Sequence, residues 1–155
     1  MSLKRRLVVG ALSLSAAGLV GIARYEGYSD EAYIPVSGDV PTIGFGSTEG
    51  VQMGDTITPQ KALERLMRDA GKAESAIGRC VNVPLYQHEY DAFASFAYNI
   101  GSEAFCSSTL VRKLNAGDYA GACSELKRWV YVDGRRVQGL ANRREAEYRL
   151  CMGLE

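Results

Sequence analysis

The sequence predicts an α+β chain with a small N-terminal β-hairpin lobe and a larger helical C-terminal lobe. Three observations carry this. Strand-like sequence is confined to Ala32–Thr48, where Gly and Pro residues force turns. From Thr58 onward, apolar residues recur at helical spacing between caps and glycines. At 155 residues, without repeats, low-complexity runs or long linkers, the chain is one domain, or one domain in two lobes. That length buries a core without help from a metal.

The N-terminus comes first. Lys4-Arg5-Arg6 precede Leu7–Ala23, 17 residues without a charge. Basic residues before an apolar stretch keep the N-terminus in the cytoplasm and send the downstream chain across the membrane. Three Gly, four Ala and two Ser dilute the stretch, and its 17 residues are the lower limit for spanning a bilayer. It is therefore export sequence with weak retention. Ser15-Ala16-Ala17 after LVVGALSL reads as a signal-peptidase site. Alternatively the whole stretch is an uncleaved anchor that later leaves the bilayer. A buried soluble helix is the third reading, and the basic flank argues against it.

The hairpin is next along the chain. Glu26 closes the apolar helical stretch, and Asp39 lies 13 positions on among turn-forming residues. Asp30 and Glu31, close to the helix end, are expected to face solvent. Thr58 as N-cap and Pro59 at the first helical position start a long helix carrying Ala62, Leu63, Leu66, Ala70, Ala73 and Ile77. Phe93, Phe96, Ala97 and Ile100 mark the most buried helix, stopped by Gly101. A helix over Ser108–Ala116 ends at Gly117, Asp118 caps one through Leu126, and a last one runs from about Asn142 to Met152.

Formal net charge is zero, so no general field draws the chain to nucleic acid or anionic lipid. Between Arg112 and Arg149, nine Lys/Arg face five Asp/Glu, a local basic surplus. That is a solvated helical surface first, and an attraction to an anionic polymer second. His88 is the lone histidine, without a partner for metal or nucleophilic chemistry.

Glu26 and Asp39 are the chemically informative pair. Cleaving a glycosidic bond takes two acidic groups, one to donate a proton and one to activate water or stabilise positive charge. Glu26-Gly27, Ala32-Tyr33, Gly38 and Thr42-Ile43-Gly44-Phe45-Gly46 resemble the active-site lobe of phage-type lysozymes, the endolysins of glycoside hydrolase family 24. The family's Asp would fall on Pro35, and the hairpin carries one extra residue before Thr42. Asp39 is the carboxylate left inside the hairpin and takes the second role by elimination; its bland reading is a turn-former.

The resemblance spans about Gly18 to Met152 and implies a lysozyme-like fold. It implies hydrolysis of the β-1,4 bond of peptidoglycan between N-acetylmuramic acid and N-acetylglucosamine, with inversion and without cofactor or metal. Glu26 would be the general acid, Asp39 would orient water, and Thr42 would hold that water by its hydroxyl. Ala97-Tyr98-Asn99-Ile100-Gly101 resembles the helix end that borders the substrate, which maps a sugar contact onto Asn99. Gly139–Arg144 resembles the segment presenting an Arg to the catalytic Glu, which maps onto Arg143. Thr109-Leu110 and Trp129 lie in recognisable segments, Trp129 as a core or wall aromatic. A lytic transglycosylase, needing one Glu only, and a non-catalytic wall-binding module are the competing classes.

Among these enzymes the chain resembles the signal-anchor-release subgroup. That divides it into an export signal or anchor over 1–24 and a lysozyme domain over 18–155, the two overlapping. Release without cleavage is the expectation: the protein is tethered to the inner membrane through Leu7–Ala23 and then becomes periplasmic, a monomer whose partner is peptidoglycan. Cys80, Cys106, Cys123 and Cys151 agree with export, being an even set without the close spacing of a zinc site. Three pairings are possible; Cys80–Cys106 with Cys123–Cys151 is preferred, the second joining two terminal helices. No cysteine lies in residues 1–79, so a thiol in the anchor cannot regulate this chain.

Overall fold

The computed structural model describes residues 5–154; Lys4 of the basic flank lies outside them. The chain divides into two compact units, Leu19–Gly71 and a second made of the residues up to Gly18 with those from Lys72 onward.

In the first unit, helix α1 (Ala16–Glu26, begun in the other unit) ends at Gly27, whose φ of 66° and N–H to Ala23 O form the usual glycine stop. Strands β1 (Ser29–Tyr33) and β2 (Thr42–Gly44) pair antiparallel, Ser29 opposite Gly44 and Tyr33 opposite Thr42, with an irregularity between. Ala32, Ile43 and Val51 form a small core, with Ile57 packed on it. Helix α2 (Pro59–Cys80) starts where expected, the Thr58 carbonyl accepting from Ala62 N–H. A Cβ on Gly44 would stand 3.0 Å from the Ala62 Cβ, so a glycine lets the hairpin close on the first turn of α2.

The second unit centres on α3 (Gln87–Ile100), buried on all sides from Glu89 to Ala97. Glu89 at the third helical position reaches back to the Tyr86 N–H at 2.8 Å, one half of a capping box. Then come α4 (Ser102–Cys106), α5 (Thr109–Asn115) and α6 (Tyr119–Glu125). Ser108 caps α5 through Val111 N–H, and Asp118 caps α6 through Gly121 N–H. A 3-10 turn, Leu126–Arg128, leads to a second hairpin, β3 (Tyr131–Val132) and β4 (Arg135–Arg136), and to α7 (Gln138–Cys151). Disulfides join Cys80 to Cys106 and Cys123 to Cys151, with Cα separations of 5.5 and 5.7 Å. Each ties a helix end to a neighbouring helix.

Two local expectations are corrected, and the N-terminal segment takes a form that the sequence did not indicate. Strand structure is not confined to the first hairpin: Asp133-Gly134, at φ 48° and 75°, makes the tight turn of a second one. Helix α7 starts four residues earlier than expected, with the Gln138 side-chain amide bonded to Asn142 Oδ1 at 2.8 Å across the first turn. Leu7–Ala23 is not one helix. Val9–Ala11 is a 3-10 turn, Leu7 bridges Leu85 in extended form, and Ser15 caps α1 by accepting from Gly18 N–H at 3.0 Å. The cap sets the start of α1 and leaves the preceding backbone to pair elsewhere.

Candidate active site

Glu26 is the last residue of α1 and is half-buried. The chain reverses at Gly44-Phe45-Gly46, where Ile43 and Ser47 exchange backbone hydrogen bonds at 2.9 and 3.0 Å. Ser47 in turn donates to Asp69 at 2.7 Å, which ties the reversal to α2. A Cβ on Gly46 would lie 3.0 Å from Glu26 Oε2, so the bare backbone of the second glycine runs against the carboxylate. Tyr28 and Phe45 flank this region with ring centroids 5.3 Å apart, and the Tyr28 hydroxyl donates to Ile57 O. The motif therefore brings Glu26 and the Thr42–Gly46 turn together.

Thr42 is buried and its hydroxyl donates to Val40 O at 3.2 Å. That bond uses the hydroxyl proton and leaves the oxygen as an acceptor. Asp39 is exposed, with its N–H bonded to Val36 O and its Oδ1 accepting from Val40 N–H at 2.9 Å. One carboxylate oxygen thus shapes the turn, and the other takes no part in that bond. Asp30 and Glu31 are exposed on β1.

Asn99 and Arg143 belong to the helical unit, in one polar network between α3 and α7. Arg143 is buried, donating to Glu147 Oε1 at 3.1 Å and to Ser95 O at 3.2 Å. Arg144, at 1% exposure, donates to Glu147 Oε2, to Trp129 O and to Asn99 Oδ1. Ser95 Oγ donates to Glu147 at 2.7 Å. Glu147 is the hub of both arginines, since burying guanidinium groups requires a paired, hydrogen-bonded anion. Sequence reasoning missed Ser95, Arg144 and Glu147. The signal was available for two of them, because Arg143 and Arg144 precede Glu147 by four and three residues, the spacing that brings side chains together on a helix. Trp129 is half-buried and packs edge-on against Phe96 at 5.4 Å, on the helical core. Leu110, in α5, is fully buried. Among the described residues no group of three His, Cys, Asp or Glu could hold a metal ion.

A family model for phage lysozyme matches residues 23–147, which include every residue of this constellation. An endolysin of Acyrthosiphon pisum secondary endosymbiont phage 1 is 41% identical over 143 residues, covering 90% of this chain and 97% of that protein. A SAR-endolysin of Pseudomonas phage phiKMV is 36% identical over 141 residues, 88% of this chain and 87% of its own. The solved endolysin from Escherichia coli O157:H7 phage FAHEc1 superposes with a TM-score of 0.84 at 36% identity, over 94% of this chain and 97% of that one. The fold is lysozyme-like, and with a glutamate held against the glycine turn of its hairpin the chain belongs to the phage lysozyme family.

Proposed function

We propose that this protein, a peptidoglycan-hydrolysing lysis enzyme, cuts the β-1,4 bond between N-acetylmuramic acid and N-acetylglucosamine with inversion. Glu26 donates the proton to the leaving oxygen. Asp39 orients the attacking water, and Thr42, whose oxygen can still accept, holds that water. Asn99 contacts sugar and Arg143 supports the acid, each steadied by the Arg144–Glu147 network. The observation that carries this reading is the approach of Gly46 to Glu26 Oε2, which restricts the carboxylate at the end of a helix. Preorganising the proton donor lowers the cost of reaching the transition state.

The export reading is part of the proposal. Residues 7–23 carry the domain across the inner membrane, tether it there and then leave the lipid uncleaved, so that the enzyme works in the periplasm as a monomer. The name of the phiKMV relative supports this, as does the low apolar density of the segment. Among the described residues no helix is long and apolar enough to cross a membrane.

One observation favours a second reading. Asp39 is exposed and partly engaged by its own turn, and a lytic transglycosylase needs only Glu26. Mass spectrometry of digested peptidoglycan separates the two. Reducing muramic ends support hydrolysis, whereas anhydro-muramic ends overturn it in favour of the transglycosylase. Glu26→Gln, whose amide cannot donate the proton, should abolish product; retention of more than a few per cent would remove Glu26 from its role.

A further inference from the structure

Residues 6–15 are strapped onto the helical unit by a set of bonds whose acceptors are mostly carboxylates. The Arg6 guanidinium meets Glu89 through two bonds, Nε to Oε2 at 3.1 Å and Nη2 to Oε1 at 2.8 Å. It is also stacked between two aromatic rings, 4.3 Å from the Tyr86 centroid and 3.6 Å from that of Tyr119. Tyr119 is held by its hydroxyl bond to Pro84 O at 2.8 Å. Next to this clamp, Leu7 and Leu85 exchange backbone hydrogen bonds at 2.8 Å. Further on, Leu14 N–H donates to Glu74, and Ser15 N–H and Oγ both donate to Asp91. Glu89 and Asp91 are 3% and 6% exposed, so the strap covers them as well as bonding them.

A buried carboxylate stripped of its donors is costly, and here two would be left so. The surface of α3 is therefore complementary to the N-terminal segment and poorly suited to being bare. A second constraint rests on the anchor reading above. A basic flank stays on the cytoplasmic face while the segment spans the bilayer. Glu89 belongs to the exported domain, so Arg6 reaches it only after the whole N-terminus has crossed.

We infer that Glu89, with Tyr86 and Tyr119, is the catch of a one-way latch that captures Arg6 after residues 7–23 leave the lipid and prevents their return. The cation that orients the segment in the membrane becomes the group that keeps it out. Bidentate guanidinium–carboxylate pairing stacked on aromatic faces is among the more stable polar contacts a surface can make. The Glu89 bond also holds the Arg6 guanidinium in its protonated form, its pKa raised above the usual value.

The test alters the catch and leaves residues 1–24 untouched, so that insertion chemistry is unchanged. Full-length Glu89→Gln and Tyr119→Leu are expressed in cells, the membrane is depolarised, and soluble and membrane fractions are quantified beside wild type and Tyr119→Phe. The soluble-to-membrane ratio should fall about tenfold in Glu89→Gln, the shift expected from losing one charge-assisted pair. Tyr119→Leu should fall in the same direction, while Tyr119→Phe, which keeps the ring, stays near wild type. Tyr119→Leu leaves the Glu89 cap of α3 intact, so a fall in both variants cannot be ascribed to lost capping. Trypsin should cut the soluble variants after Arg6 faster than wild type. Wild-type partition and wild-type trypsin resistance in both variants would overturn the latch. A wild-type protein never found in the membrane fraction, or one shortened at its N-terminus, would overturn the anchor reading beneath it.

Discussion

Gly46→Ala probes the proton donor without touching it. Gly46 sits at φ 89°, and the new methyl would stand 3.0 Å from Glu26 Oε2. This carries two costs. An L-residue at positive φ is strained by roughly 1–2 kcal/mol. The contact is also a few tenths of an ångström too short, and the carboxylate, as the flexible partner, must give way. Since a displacement of about 1 Å in a catalytic group can cost on the order of 100-fold, this smaller one should lower turnover about five- to tenfold. Gly50→Ala is the control: its φ is 69°, but a Cβ there meets nothing within 4 Å. Both variants should lose roughly 2–8 °C in Tm from backbone strain. Only Gly46→Ala should lose turnover beyond that, measured by clearing of a cell-wall suspension well below either Tm. Equal turnover in the two variants would refute the placement of Glu26 as the reacting acid.

Three further outcomes are expected. Asp39→Asn should reduce turnover on the same suspension at least about tenfold, whereas Asp30→Asn and Glu31→Gln should stay within about twofold of wild type. Gly10→Leu with Gly21→Leu should raise membrane retention on fractionation, since Cβ atoms at both positions meet open space and the change acts through hydrophobicity alone. Gly18 is unsuitable for that purpose, because its Cβ would stand 2.9 Å from the Asp91 carboxyl carbon. The third concerns acid stability. A Lys113 hydrogen bond at 2.7 Å, with Arg128 at 3.3 Å, holds Glu125 below the usual carboxylate range. The folded protein then takes up this proton less readily than the unfolded chain. The stabilisation is complete above the unfolded-state value of about 4.3 and is lost as pH falls through the lower folded value. Thermal melts across this range should show a shallower acid decline in Glu125→Gln than in wild type.

Much of the fold was legible because it is locally encoded. Thr58 and Asp118 cap the helices they were expected to cap, Ser108 stands one residue before the helix it was expected to begin, and Gly101 ends the buried helix. Short-range chemistry of this kind needs no knowledge of distant neighbours. The folded conformation of the N-terminal segment was not legible, because it depends on Leu85, Glu89 and Asp91, more than 70 residues away in sequence. Its apolar run describes its behaviour in lipid, not on a protein surface. In the site, the motif marked Glu26 and the Thr42–Gly46 turn, but that the Gly46 backbone runs against the carboxylate appears only in the folded hairpin. The Glu147 hub was legible only in its spacing to Arg143 and Arg144; the burial that makes two arginines need one shared anion appears only when α3 and α7 are packed.

The strap also bears on the order of events during synthesis. Arg6 bonds a residue 83 positions away and Leu14 one that is 60 away, so these contacts close very long loops. Contacts of such separation are slow to form, because chain entropy is spent before they repay it. Residues 6–15 are thus made well before their native neighbours and are among the last to find them, whether or not they spend the interval in lipid. A chain that pauses during translation near Pro84 would expose residues 6–15 with no surface yet available to receive them.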